Sequence, residues 1–169
     1  MELTTPTFQY RKISPDVKDP VRANPSDSGI DVFAYSFKRL YKNNGTNLSE
    51  PDPDLSVESI KLKFAERLLV GTGIQATVGE GFEIQVRPRS GMALNYGLSV
   101  LNSPGTVDFA YRGEIGVIIV NLSPSEQTVF LKDKIAQLVV APVTLSSLVE
   151  VSELPSTKRG DGGFGSTGR

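Results

Sequence analysis

The stretch Phe82-Glu83-Ile84-Gln85-Val86-Arg87 alternates apolar and polar side chains with a period of two, the pattern of a strand with one buried face. It runs directly into Pro88-Arg89-Ser90-Gly91-Met92-Ala93-Leu94-Asn95-Tyr96-Gly97. There Ser90 as a cap and Gly97 as a stop predict one or two turns of helix. Outward from this segment the short-strand pattern continues. Val117-Ile118-Ile119-Val120 and Leu138-Val139-Val140 are β-branched-rich runs of strand length, as in buried strands. Leu68-Leu69-Val70, Leu98-Ser99-Val100, Val129-Phe130-Leu131 and Leu148-Val149-Glu150-Val151 add four more. Gly79-Glu80-Gly81 and Ser123-Pro124-Ser125 are among the turn signals between them. No sustained 3.6-residue period and no internal repeat is present, so the expected class is all-β, a sandwich, jelly roll or barrel with one short helix.

A chain of 169 residues fits one domain with a core of its own. The barrel is expected over residues 1–155. A polar loop at about 42–55 carries Asn43-Asn44-Gly45 and Glu50-Pro51-Asp52-Pro53-Asp54, an exposed-loop composition. Residues 156–169 hold five glycines and almost no apolar residue except Phe164, so they read as a mobile Gly-rich C-terminal arm.

Two zeros in the composition narrow the chemistry. The absence of cysteine excludes a disulfide framework, a thiolate zinc site and a cysteine nucleophile. The absence of histidine excludes Ser-His-Asp triads, His-held zinc or iron and imidazole acid–base catalysis. Carboxylates, hydroxyls, Lys, Arg, Tyr, backbone amides and a hard cation remain. A net charge of −1 argues against a general nucleic-acid or membrane surface. With no signal peptide and no apolar run near ~20 residues, the expectation is a cytoplasmic protein without membrane attachment.

Five stretches carry side chains suited to chemistry. The tail Arg159-Gly160-Asp161-Gly162-Gly163-Phe164-Gly165-Ser166-Thr167-Gly168-Arg169 combines amides and hydroxyls that can curl round a phosphate with an aromatic that can stack on a base. It reads equally as a flexible terminus. It is not a Walker loop, because no Gly-Lys-Ser/Thr follows a strand. Arg87-Pro88-Arg89-Ser90-Gly91 places free amides and a cation at a helix start, an anion site or an ordinary cap. Asn102-Ser103-Pro104-Gly105-Thr106-Val107-Asp108-Phe109-Ala110-Tyr111-Arg112-Gly113-Glu114 offers Asp108 as a base for water and Tyr111 as a sugar or base platform, or else a plain hairpin. Asp31 in Ser28-Gly29-Ile30-Asp31-Val32 and Gln137 in Lys132-Asp133-Lys134-Ile135-Ala136-Gln137-Leu138 interrupt apolar runs. Each either holds a partner or faces solvent.

Taken in order, these stretches resemble the five motifs of the homotrimeric dUTP pyrophosphatase (dUTPase) family. They read Ser28-Gly29-Ile30-Asp31-Val32-Phe33-Ala34, then Pro88-Arg89-Ser90-Gly91-Met92-Ala93, then Gly105-Thr106-Val107-Asp108 through Glu114. Asp133-Lys134-Ile135-Ala136-Gln137-Leu138 and Arg159 to Gly168 complete the set. The resemblance implies a distorted jelly-roll β-barrel and a homotrimer with three shared active sites, each closed by a tail that acts as a lid. It implies hydrolysis of dUTP to dUMP and pyrophosphate, which limits uracil incorporation into DNA and supplies dUMP for thymidylate synthesis. By resemblance Asp108 is the general base for the attacking water. Asn102, Gly105, Val107, Tyr111 and Phe164 contact the base and sugar. Arg89, Ser90, Gly91, Gln137, Arg159, Gly165, Ser166 and Thr167 contact the triphosphate. Mg²⁺ is implied as cofactor, reached by Asp31 through water.

The chain departs from the family pattern at Ser28 and Ile30, at Ala110 beside the base, and in the loop at 42–55. The competing readings are a dCTP deaminase or bifunctional deaminase–dUTPase on the same fold, and a regulatory nucleotide-binding protein acting through the 42–55 loop.

Overall fold

The structure, a computed structural model, describes residues 5–43 and 56–163. Within them the elements run β1 (Gln9–Lys12), β2 (Ile30–Phe33), β3 (Ser36–Tyr41), β4 (Ser59–Leu62), β5 (Arg67–Gly71), β6 (Ile74–Thr77) and β7 (Phe82–Arg87). After these come α1 (Ser90–Tyr96), β8 (Leu98–Val100), β9 (Gly105–Val107), β10 (Gly116–Asn121), β11 (Gln127–Phe130) and β12 (Lys134–Pro142). Two four-stranded sheets carry most of the fold, in the orders β3-β5-β10-β8 and β2-β12-β7-β9, with β1-β6 and β11-β4 as smaller pairs. Every pairing is antiparallel. Consecutive strands such as β2 and β3, or β8 and β9, enter different sheets. That crossing between layers is the jelly-roll form of an all-β barrel.

The inward faces follow from the alternation. Ile84 and Val86 of β7 are buried while Glu83, Gln85 and Arg87 are not. Val117 and Ile119 of β10 pack with Leu68 and Val70 of β5 and with Val32, Leu62 and Leu138 in one core. Burying one such side chain fully stabilises the fold by roughly 1.5–3 kcal/mol. Asn121, wholly buried, is satisfied by donating Nδ2 to Leu62 O and Ser125 O and by accepting the Ser123 amide on Oδ1, all at 2.8 Å. It thereby holds the β10–β11 turn in shape.

Two expectations need correction. Residues 148–151 form no strand, because β12 ends at Pro142 and the chain beyond meets no partner strand; Leu148 is 98% exposed. An apolar run alone does not make a strand when nothing pairs with it. Ser90 is not the cap of α1 but its first helical residue. Arg89 occupies the cap position with extended backbone, makes no side-chain cap bond, and its carbonyl accepts the Ala93 amide at 3.0 Å. Gly97 does end the helix, at φ 64°, with its amide on Ala93 O at 3.1 Å.

Gly97 also docks the helix on the Asn121 turn. Its carbonyl accepts the Leu122 amide at 2.9 Å, and a Cβ there would lie 2.7 Å from Ser123 Cβ. Both the left-handed backbone and the close approach require glycine. Gly97→Ala is therefore expected to destabilise the protein by about 1–3 kcal/mol in denaturant unfolding, with the helix displaced from the turn.

Candidate active site

The strand–helix junction β7–α1 meets β2 and β12 at a cavity of about 230 Å³ lined by Gly29, Asp31, Arg89, Ser90, Gly91 and Gln137, with Ala23 and Asp27 at its margin. Register places Asp31 of β2 directly opposite Gln137 of β12. Lys134 lies three residues before Gln137, and strict alternation would send it to the other face of the sheet. A bulge reverses this: Lys134 pairs with Phe33 but Ala136 pairs with Val32, so Ile135 is an extra residue. Ile135 and Ala136 are consequently both buried, and Lys134 reaches Asp31.

Asp31 is the hub of this pocket. Its side chain is 14% exposed; Oδ1 accepts Arg89 Nε at 3.0 Å and Oδ2 meets Lys134 Nζ at 2.8 Å. Arg89 also donates Nη1 to Lys134 O at 3.2 Å. A guanidinium carries five N–H donors, so among the described residues Arg89 keeps donors for an anion. The Ser90 and Gly91 amides open the helix and have no intrahelical acceptor. Gln137 donates Nε2 to Pro88 O at 2.9 Å, and a Cβ at Gly29 would collide with its Oε1. The pocket thus presents Arg89 and two helix-opening amides beside the carboxylates of Asp27 and Asp31, and Lys134 neutralises Asp31 from the bulge.

A second group of residues stands elsewhere. Gly105 and Val107 are buried on β9, paired with Val86 and Ile84 of β7. Asn102 lies in the exposed turn before β9, its Nδ2 3.2 Å from where a Gly105 Cβ would be. Asp108 is exposed, and the turn after it is held by backbone and side-chain bonds. The Tyr111 amide donates to Asp108 O at 3.0 Å, and the Tyr111 hydroxyl donates to Glu114 O at 2.9 Å. Arg112 Nη1 donates to Phe109 O at 2.6 Å and Tyr111 O at 2.8 Å, with its guanidinium 5.7 Å from the Phe109 ring centre.

Register separates the two groups within one chain. Val107 sits opposite Ile84, so Asp108 continues toward Glu83 while Pro88 and Ser90 lie off the other end of β7. Five residues of strand span about 17 Å at roughly 3.4 Å each. The structure thus brings Asp31, Arg89, Ser90, Gly91 and Gln137 together and leaves Asp108, with the turn that carries Tyr111, off the far end of β7, while Val107 and Gly105 lie along the strand between and Asn102 precedes them. Arg159 is exposed and donates Nε to Gly162 O at 2.8 Å within its own turn. Phe164, Gly165, Ser166 and Thr167 lie outside the described residues, as do positions 44–55 of the polar loop. Gly29 lines the pocket and Lys134 backs it through Asp31, although side-chain type gave neither a role. Their signal would have been the bulge and the close approach, which only register reveals.

The segment 102–114 is not the plain hairpin its sequence also allowed, because β9 and β10 enter different sheets and Asp108 sits on a turn between them. The fold and site define a jelly-roll barrel with an arginine-and-amide pocket apart from that turn. The chain belongs to the dUTPase family, whose model matches residues 54–168. It is 44% identical over 161 residues to the deoxyuridine 5'-triphosphate nucleotidohydrolase of Heliobacterium modesticaldum, covering 95% of each chain. It is 42% identical over 158 residues to that of Hydrogenobaculum sp., covering 94% of this chain and 95% of the relative. Among solved structures, a Staphylococcus bacteriophage 80alpha dUTPase mutant with dUpNHpp superposes with a TM-score of 0.70 at 22% identity, over 96% of this chain and 99% of that one. A phage phi11 dUTPase mutant, described with the coordination of a structural Mg(II) ion, gives a TM-score of 0.67 at 22% identity, over 89% and 99%. At that identity these likenesses report the fold alone.

Because a Cβ at Gly29 would drive Gln137 out of the pocket, Gly29→Ala is expected to weaken binding of inorganic triphosphate about tenfold, or 1.4 kcal/mol. Isothermal titration of the full chain measures it.

Proposed function

We propose that the protein hydrolyses dUTP to dUMP and pyrophosphate, so limiting uracil in DNA and supplying dUMP for thymidylate synthesis. Membership of the dUTPase family is the observation that carries this reading, and the arginine-and-amide pocket beside Asp31 supports it. A deaminase or purely regulatory role is not favoured by the family. In the proposed complex Arg89, the Ser90 and Gly91 amides and Gln137 bind the triphosphate. Asp108 holds and deprotonates the attacking water; as an ordinary carboxylate it depends on alignment and charge stabilisation for most of the acceleration. Gly105 and Val107 present backbone to uracil, with the Asn102 amide beside them. Tyr111 packs against the deoxyribose where a 2′-hydroxyl would stand. We assign residues 1–155 to the barrel and 156–169 to a lid, with Phe164 over the uracil and Arg159, Gly165, Ser166 and Thr167 on the phosphates.

The separation of Asp108 from the phosphate pocket along β7 supports a shared site. The Asp108 turn of one copy completes the pocket of another, and closed symmetry with three copies gives three such sites. Divalent metal fits this donor set in one way. Among the described residues no cluster of three acidic side chains could cage an ion, and both Asp31 oxygens already meet cations. Mg²⁺ would therefore ride on the triphosphate with its own waters, Asp31 accepting from those waters, and would supply charge neutralisation on the phosphates. No helix among the described residues is long and apolar enough to cross a membrane. We place the activity in the cytoplasm beside the nucleotide pool it would serve.

Pyrophosphate release from dUTP, measured against dTTP, dCTP and UTP, tests the reaction. Wild type should turn over dUTP selectively, and Asp108→Asn should lose about 10²–10⁴-fold in kcat. Folded wild type without turnover would sink the reading. Mixing Asp108→Asn with Arg89→Ala chains and allowing exchange should restore about a quarter of wild-type activity, since one neighbour supplies each intact half. No recovery would show that each chain builds its own site.

A further inference from the structure

The Asp108–Tyr111 turn is braced from a strand that none of the five motifs includes. Lys38 of β3 places Nζ 3.2 Å from Glu114 Oε2. The other carboxylate oxygen, Oε1, accepts the Gly73 amide at 2.8 Å. The backbone carbonyl of the same Glu114 accepts the Tyr111 hydroxyl at 2.9 Å. One residue thus receives a lysine and an amide on its side chain and the tyrosine on its main chain.

The sheet is notched to admit this brace. Gly71 sits opposite Ser36 on one side and Gly116 on the other, in the middle of β3-β5-β10. A Cβ at Gly71 would lie 2.5 Å from Glu114 Oε1, 2.6 Å from Lys38 Cε and 2.7 Å from Ser36 Oγ. Every L-residue other than glycine would push the lysine and the carboxylate apart. The Ser36 hydroxyl, though buried, has no hydrogen-bond partner among the described residues, so it does not fix Glu114. Among the described residues, only Gly73 and Lys38 do. Gly113 extends the same arrangement: a Cβ there would collide with the Tyr111 phenol, so the ring lies close over that backbone.

The pair is half-exposed, with Lys38 at 41% and Glu114 at 21%. Surface pairs of this kind add little to global stability. Their effect is geometric: the lysine holds Glu114, and Glu114 holds the phenol.

We propose that Lys38 is a positioning residue that, through Glu114, sets the placement of Tyr111 and hence how strictly the site rejects a ribose. The inference rests on the reading that Tyr111 packs against the deoxyribose. Lys38 touches no substrate in this scheme, so its removal should loosen sugar selection while leaving the water-activating Asp108 in place.

The test is steady-state hydrolysis of dUTP and UTP by the full chain as wild type, Lys38→Met, Lys38→Arg and Glu114→Gln, with thermal unfolding of each. Lys38→Met is expected to lower the dUTP/UTP ratio of kcat/KM by about three- to tenfold. The fall should come chiefly from a raised kcat/KM for UTP, with kcat for dUTP within about twofold of wild type. Lys38→Arg should keep the ratio, and Glu114→Gln should lower it without adding to Lys38→Met in the double variant. An unchanged ratio in Lys38→Met overturns the inference. So does a fall that Lys38→Arg shares, or one that follows the thermal midpoint across the series. Wild type that ignores dUTP altogether would instead refute the functional reading, and wild type that hydrolyses dUTP and UTP alike would refute the role of Tyr111.

Discussion

The carboxylate of Asp31 is the point on which the pocket turns. A largely buried anion is costly to desolvate unless paired, and here it meets a guanidinium and an ammonium drawn from different elements. Those two contacts tie β2 to the bulged start of β12 and to the junction that launches α1. The pair is better understood as orientation than as stability, because desolvating both partners cancels much of the Coulomb gain. What it secures is a fixed pair of cations beside unpaired amides. On the proposed reading, a phosphate group arriving there would meet donors already aimed, with little reorganisation left to do.

The fold divides labour between its two large sheets. The sheet β2-β12-β7-β9 carries both halves of the proposed chemistry at opposite ends of β7. The sheet β3-β5-β10-β8 carries none of the proposed contact residues, yet it supplies the notch at Gly71 and the lysine that braces the turn. On the proposed scheme, selection of the sugar would depend on a layer remote from the phosphates. Such a separation allows one property to change while the other stands.

Much of this was legible in the residues themselves. The alternation of Phe82–Arg87, the β-branched run at Val117 to Val120 and the glycine stop at Gly97 all appear where they were read. The five ordered stretches were enough to mark the family. Other features depended on pairing, which periodicity does not encode. Leu148-Val149-Glu150-Val151 has strand composition but no neighbour to complete a ladder. The short strands β1, β4 and β6 are too brief for a decisive pattern and exist because a partner fixes them. Asp31 was conspicuous as a charge in an apolar run, but that Lys134 answers it follows only from the bulge. Glu114 and Lys38, 76 positions apart in the chain by subtraction of their numbers, meet only because Gly71 leaves room.

The extra residue at Ile135 ties the length of β12 to its chemistry. Removing it would restore an unbroken ladder with β2 and leave Lys134 opposite Phe33, on the face of Asp31, with one buried apolar side chain lost. Straightening the bulge with every residue kept would instead set Ile135 opposite Phe33, turn Lys134 to the other face and strip Asp31 of one counter-charge. Bulge and strand length therefore have to change together. A lineage that ironed out the bulge alone would be left with a smoother sheet and a pocket that no longer holds its charge.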